Sequence, residues 1–362
     1  MIKRTRSSNL ELLRILLMLM IVCYHAVLYG GLMGCADGSA AKNTALLFNI
    51  GGQLGVSGFV LITGYFLSKT AFKLSRIVRL VLKAIFYTVA VYLALCACGV
   101  VGFDGAYFTM RFFPILTSRY WFLTAYVLVA ALSPALNLVL EHAAKRLLQI
   151  YLILGPVVLQ LVPLLVDKNP YYSSTLWFVY LYCLGGYIRR YPLGVLENKW
   201  AALGLFASMT ALIWCVSLYF SGLPADAPNY IYSTYFADLR SFPLLLSALG
   251  LFMFFKNLRM KNYKLVNLIG GTTLGVYVLH EHDQMRDFLW GSLCNLTGRA
   301  DGPAVWLWIL LAGAAVFFVC AAIDLAVQYT LGKLADRTVN PLCDRVQSAA
   351  GGKPTSITVV RD

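Results

Sequence analysis

Leu10-Glu-Leu-Leu-Arg14-Ile-Leu-Leu-Met-Leu-Met20-Ile-Val-Cys-Tyr24-His25-Ala-Val-Leu-Tyr-Gly30-Gly31 decides the architecture. About 20 predominantly apolar residues in helical geometry cross the hydrocarbon core of a bilayer, and this run is that long. Its start, with Lys3, Arg4 and Arg6, resembles a secretory leader. The run is too long for a leader's apolar region, however, and no small-residue cleavage site clearly follows, so it reads as a first spanning helix.

Working outward, similar runs recur at 47–68, 78–99, 120–140, 147–166, 174–189, 200–221, 237–255, 265–282 and 304–330. With 10–31 they predict an all-α, polytopic membrane protein of about ten transmembrane helices. No internal repeat or linker divides the chain. The expectation is one integral membrane domain over 1–335 and a short cytoplasmic tail over 336–362, small, polar and disordered from Ser348.

Composition agrees. Of the 362 residues, 60% are hydrophobic and 13% charged, against about 25% charged in soluble domains. A soluble globular enzyme, a disordered chain and a disulfide scaffold are excluded. The nine cysteines show no metal-ligand spacing, and several sit in apolar runs, where a thiol behaves as a small hydrophobe.

The net charge of +14 would suggest nucleic acid in a soluble protein. Here the basic residues fill gaps between apolar runs. With the N-terminus in the cytoplasm, 23 of the 30 Lys and Arg fall on the inner side, which is the positive-inside pattern with both termini cytoplasmic. A nucleic-acid partner is not needed to explain the charge.

Ionisable residues within spans are expensive and mark candidate function. Arg14 and His25 are 11 residues apart, close to three helical turns, so they share a face about 16 Å apart along the axis. One face thus carries a phosphate-binding cation toward the cytoplasm and a titratable base toward the outside. The bland alternative is a snorkelling arginine and a hydrogen-bonded histidine. The second run holds Gly51, Gly52, Gly55, Gly58 and Gly64, a small-residue stripe that suits close helix packing. Arg76 and Arg79 open the third helix as an i,i+3 pair. They read either as inner-loop topology signals or as a fork for phosphate. Tyr120 and Trp121 read as an interfacial aromatic belt, or as a stacking surface for a sugar or an acyl chain.

The ninth run ends in a polar cluster, His280-Glu281-His282-Asp283, with Arg286 and Asp287 beyond. His280 and His282 do not face each other on a helix and no third ligand is evident, so no metal is expected. His282 and Asp283 read as a solvated helix end, and His280 and Glu281 as cavity-lining. His142 reads as surface. No nucleotide-binding glycine loop or nucleophile elbow is present.

These residues resemble the membrane acyltransferase-3 family. Arg14 and His25 resemble its Arg-x10-His signature, in the version seen in bacterial surface-polysaccharide acyltransferases. Leu61-Ile-Thr-Gly-Tyr-Phe66, Arg76 with Arg79, Tyr120-Trp-Phe-Leu-Thr-Ala-Tyr126, and Gly275-Val-Tyr-Val-Leu-His280 followed by Arg286 match further blocks in order. The resemblance covers about residues 8–330. Thr63 stands where Ser is usual, and Glu-His-Asp follows His280 where Asp-Asn is common.

The resemblance implies an enzyme of the bacterial plasma membrane. It would transfer an acyl group, usually acetyl, from cytosolic acyl-CoA as co-substrate to a hydroxyl of a surface polysaccharide or lipid-linked glycan. His25 would act as general base, with an acyl-histidine as the variant. Arg14 would orient donor phosphate or stabilise negative charge, and Arg76 and Arg79 would hold CoA phosphates. His280 would give an oxyanion contact or hold His25. Tyr120, Trp121 and Glu281 would meet the acceptor. The rival reading is a transporter or flippase of a lipid-linked sugar, for which Asp324 is the one mid-span acid.

Overall fold

The computed structural model describes residues 7–161, 174–302 and 304–349. Among them the chain is helical, without a strand. The longer elements are α1 (Ser8–Tyr29), α2 (Ala40–Leu67), α3 (Leu74–Ala97), α4 (Gly105–Met110), α5 (Trp121–His142), α6 (Lys145–Pro156), α7 (Ser174–Ile188), α8 (Lys199–Ser221), α9 (Phe242–Lys256), α10 (Lys264–Gly270), α11 (Thr273–His280), α12 (Asp283–Arg286), α13 (Val305–Val327) and α14 (Lys333–Ala349). A wide π-helical turn, Asp287–Leu293, follows α12, and another, Gln328–Gly332, joins α13 to α14.

Six helices among the described residues are long and apolar enough to cross a membrane: α1, α2, α3, α5, α8 and a stretch over Val305–Ala335. The runs expected at 174–189 and 237–255 form the shorter apolar helices α7 and α9, of 15 residues each. The run expected at 147–166 is α6 continued by a π-helical turn over Val157–Leu161; residues 162–173 lie outside the described residues. The run expected as one helix at 265–282 is broken into α10 and α11 at Gly271-Thr272. There the Thr272 hydroxyl donates to the Ile269 carbonyl (2.7 Å) and that of Thr273 to Gly270 (3.2 Å), closing the end of α10 with side-chain bonds. Within the expected tail, residues up to Ala349 belong to α14; 350–362 lie outside the described residues.

Local chemistry sets the helix starts. Asn198 accepts from the backbone N–H of Trp200 and Ala201 at the head of α8. Ser241 accepts from Leu244 at the head of α9, where Pro243 occupies the first turn. Each side-chain oxygen satisfies a donor that the first helical turn leaves open.

The chain divides into two compact units. The first comprises Met1–Phe59, Val91–Gly102 and Leu193–Ala322. Within it α9 packs on α8, and α1 packs on α9, α10, α11 and the Asp287–Leu293 turn. The glycine stripe of α2 lets that helix press on α1. A Cβ on Gly55 would sit 2.8 Å from the Leu17 carbonyl oxygen, and one on Gly58 would sit 2.6 Å from the Leu17 side chain. Gly270, at the end of α10, faces the Glu11 side chain equally closely.

The second unit comprises Val60–Ala90, Phe103–Pro192 and Ile323–Asp362. Here the backbones of Gly64 and Tyr182 touch, α5 lies along α7, and Asn137 accepts from the Tyr182 hydroxyl at 2.7 Å. Asp324 is fully buried. One of its oxygens faces Lys83 Nζ (2.6 Å) and accepts from Tyr87 (2.5 Å), and the other accepts from Gln328 (2.6 Å). Gln347 of α14 holds the start of α3, donating to the Phe72 carbonyl and accepting from the Leu74 N–H.

Candidate active site

His25 sits near the end of α1, and His280 is the last residue of α11. Because α1 lies against α11, the two imidazoles meet across 255 residues of sequence, with His25 Nδ1 2.9 Å from His280 Nε2. The other nitrogen of His280, Nδ1, lies 2.6 Å from the Val276 carbonyl oxygen, one turn earlier on α11.

That contact assigns the protons. A carbonyl only accepts, so His280 Nδ1 carries hydrogen, and Nε2 of a neutral His280 is an acceptor. His25 must then donate from Nδ1, and a neutral His25 keeps the lone pair of Nε2 unprotonated. The chain His25 → His280 → Val276 therefore fixes the tautomer in which His25 presents a basic Nε2.

Glu281, one residue past α11, brings a carboxylate to the same ring. Its Oε2 lies 2.9 Å from His25 Nδ1, but off the N–H direction, which is taken by His280. It acts on His25 through charge. Its Oε1 accepts from the Tyr29 hydroxyl at 2.8 Å. Tyr29 is one turn beyond His25 on α1, so both project from one face. Arg286 closes the cluster: Nη1 donates to the Tyr29 oxygen at 3.1 Å and lies 3.6 Å from Glu281 Oε1, with the guanidinium over the Tyr29 ring. His25, His280 and Glu281 are all buried. A proton arriving on His25 Nε2 would create an imidazolium next to a fixed carboxylate, and in a dry site that pairing is worth far more than in water.

Among the described residues, His25, His280 and Glu281 are the group whose donor atoms could together hold a metal ion, lying within 4.8 Å of one another. Three donors and an open position also match a catalytic zinc set. The hydrogen-bond chain uses the His280 lone pair for the His25 proton, while Glu281 Oε2 is buried without a hydrogen-bond partner among the described residues.

Of the other residues singled out in the sequence, Arg14 lies on α1 three turns before His25, half-buried, and pairs with Glu11 at 3.1 Å. Arg76, Arg79, Tyr120 and Trp121 belong to the second unit. Arg76 and Arg79 are exposed on α3, Tyr120 is buried and Trp121 is exposed at the head of α5. Within the first unit the structure thus joins His25, His280 and Glu281, and it adds Tyr29, whose signal in the sequence is its i+4 spacing from His25. His282, expected at a solvated helix end, is fully buried, because the chain turns into α12 straight after α11 and encloses it. His142 is exposed at the end of α5, as a surface residue should be.

The model of an acyltransferase domain, acyltransferase-3, matches residues 7–325. The chain belongs to the acyltransferase-3 family. The match spans α1 through most of α13, so it takes in the histidine pair, Glu281 and the basic pair on α3. No curated protein and no solved structure matches the chain. Membership makes the chain a transferase of acyl groups, and its apolar helices make it a multi-pass membrane protein.

Proposed function

We propose that this acyltransferase-3 protein moves an acyl group, acetyl in the first instance, from cytosolic acyl-CoA to a hydroxyl of a surface polysaccharide or lipid-linked glycan. It would work in a bacterial plasma membrane with ten spans and both termini cytoplasmic. The observation that carries the reading is the tautomer of His25. With His280 Nδ1 held by the Val276 carbonyl, the neutral pair puts the His25 proton on Nδ1, toward His280 and beside the Glu281 carboxylate, and leaves Nε2 as the basic nitrogen.

The step balances as follows. His25 Nε2 takes the proton of the acceptor hydroxyl as its oxygen attacks the thioester carbon. The imidazolium is held by Glu281, and His280 keeps the ring oriented. The tetrahedral intermediate collapses, the carbon–sulfur bond breaks, and the CoA sulfur leaves with the proton from His25. The products are an ester and free CoA thiol. Arg14, three turns toward the cytoplasmic end of α1, and the Arg76–Arg79 pair are assigned to the anionic donor, since guanidinium forks match phosphate. Tyr120 and Trp121 are assigned to the acceptor. No resident cofactor or metal is required, and the lipid bilayer is the only obligate surrounding partner.

Asp324 argues against the transporter reading. The acid that a proton-coupled carrier would use is tied to Lys83, Tyr87 and Gln328. The test uses membranes with radiolabelled acetyl-CoA, wild type beside His25→Ala at matched expression. Label in the glycan fraction and release of free CoA thiol in wild type alone are expected. Equal transfer in the variant would overturn the role of His25, and substrate movement without CoA consumption would favour a transporter.

A further inference from the structure

The last described helix, α14, has three distinct sides. Cys343 is buried, and Gln347, one turn further on the same side, holds the start of α3. Lys333, Arg337 and Asp344 share a second side and are exposed. Leu334, Thr338, Leu342 and Val346 recur at every fourth position along a third side, and all four are exposed. The Thr338 hydroxyl donates to the Leu334 carbonyl at 3.1 Å, so its polar group is spent on the helix itself. Leu331, in the turn before α14, is exposed as well. Single exposed leucines are ordinary, but a stripe continued over three turns is a surface.

Two anchors on α3 fix the course of this part of the chain. Asp324 meets Lys83, and Gln347 meets Phe72 and Leu74. Leu74 and Lys83 are about 14 Å apart along α3 at 1.5 Å per residue, whereas Asp324 and Gln347 are about 35 Å apart along their own helices. A straight continuation of α13 beside α3 would carry Gln347 about 20 Å past Leu74, further than a glutamine side chain reaches. The axis therefore turns away from that of α3 between the two anchors. The π-helical turn Gln328–Gly332 lies there, and such turns are where helices bend.

The occupant of the stripe follows from where the bend lies. α13 has 23 residues, enough to cross the hydrocarbon core. The chain thus enters α14 at a lipid surface and then runs off the axis of its span. The charges beside the stripe suit an anionic surface. Lys333, Arg337 and Arg345 are exposed on α14, and Lys69, Lys73, Arg76 and Arg79 flank the α3 start that Gln347 holds. Long basic side chains reach headgroups while their stems lie along apolar surface.

We infer that α14 is an interfacial helix. It lies along the leaflet at which α13 ends, with Leu334, Leu342 and Val346 in the boundary between headgroups and acyl chains and its basic residues on anionic headgroups. Through Gln347 this seating sets the level of the α3 start, and with it Arg76 and Arg79, against the lipid surface. The inference needs the membrane but not the acyl-transfer reading.

The experiment uses full-length protein in nanodiscs of phosphatidylcholine, alone or mixed with phosphatidylglycerol. In one arm, photoreactive benzoyl-phenylalanine is placed at Leu342 or at Arg337, and adducts are read by mass spectrometry. Lipid adducts are expected at 342 and not at 337. In the other arm, trypsin cleavage after Arg337 and Arg345 is timed. Cleavage should be about tenfold slower with phosphatidylglycerol, because each basic residue near an anionic surface adds attraction. Leu342→Asp, at an exposed position, should abolish that protection while leaving the Tm unchanged.

Adducts at 342 to a second copy of the chain, no lipid adduct, or equal lipid adducts at 342 and 337 would each overturn the placement. Cleavage at equal rates in the two kinds of nanodisc, or protection that survives Leu342→Asp, would overturn docking on an anionic leaflet. Loss of acyl transfer from acetyl-CoA with adducts and protection intact would count against the function proposed above and leave the interfacial helix standing.

Discussion

Replacing Lys83 with Met should cost this protein far more than the loss of a partly exposed lysine within a helix usually does, and a second change at Asp324 should restore most of the loss. Asp324 is fully buried, and Lys83 is its only charged partner among the described contacts, at 2.6 Å. Tyr87 and Gln328 supply hydrogen bonds but no charge. Lys83→Met therefore leaves a carboxylate uncompensated in an apolar surrounding, which costs about 3–5 kcal/mol. Asp324→Leu alone is milder, about 1–3 kcal/mol, because the Lys83 side chain is one-fifth exposed and its ammonium can reach toward water along its stem. The double variant replaces a buried ion pair by hydrocarbon of similar bulk, which is often neutral or stabilising. A coupling of about 4–8 kcal/mol between the two sites follows. At about 2.1 cal/mol/K per residue of unfolding entropy, a 362-residue chain losing about 4 kcal/mol drops by roughly 5 °C in Tm. The assay is thermal unfolding in detergent, read by a thiol-reactive dye on the buried cysteines, among them Cys23 and Cys183, for the four members of the cycle. A double variant no more stable than Lys83→Met would refute the reasoning, as would a Lys83→Met loss below about 1 kcal/mol.

Three further outcomes are expected. Tyr29→Phe removes the 2.8 Å bond to Glu281 and should lower kcat about tenfold, with little change in the KM for acetyl-CoA; a KM effect alone would place Tyr29 in substrate binding. Gly55→Ala should destabilise the protein by about 1–3 kcal/mol, because the new methyl meets a backbone oxygen of α1 that cannot move aside. Gly51→Ala, which meets only the flexible Met20 side chain at 3.4 Å, should be neutral or stabilising by about 1 kcal/mol, and equal losses in the two would contradict the close approach of α1 and α2. Dialysis against 1,10-phenanthroline should leave transfer unchanged, whereas loss of activity restored by zinc would recast His25, His280 and Glu281 as metal ligands.

Much of the helical content was legible from apolar run length, because a span must satisfy its backbone internally and helical geometry then sets about 20 residues per crossing. The same signal fails where a run is interrupted by small and hydroxylated residues. Gly270-Gly271-Thr272 reads as part of one apolar run, yet the threonine hydroxyls bond the carbonyls of α10 and end it. Asp324 was visible as a lone acid in an apolar run. Its partners Lys83 and Tyr87 were not, since they lie more than 230 positions away in the chain.

The sequence by itself determined that the chain is an all-helical membrane protein, and it carried the Arg14–His25 spacing and the late histidine block, because length, hydropathy and helical period are local quantities. It did not determine which nitrogen of His25 is the base. That follows only from packing α1 against α11, which puts His280 on one side of the ring and leaves Nε2 bare. Nor did it determine the work of Glu281, Tyr29 and Arg286. A hydrogen bond of 2.8 Å between residues 252 apart leaves no periodic trace in the chain, and only the tertiary fold brings such groups within reach.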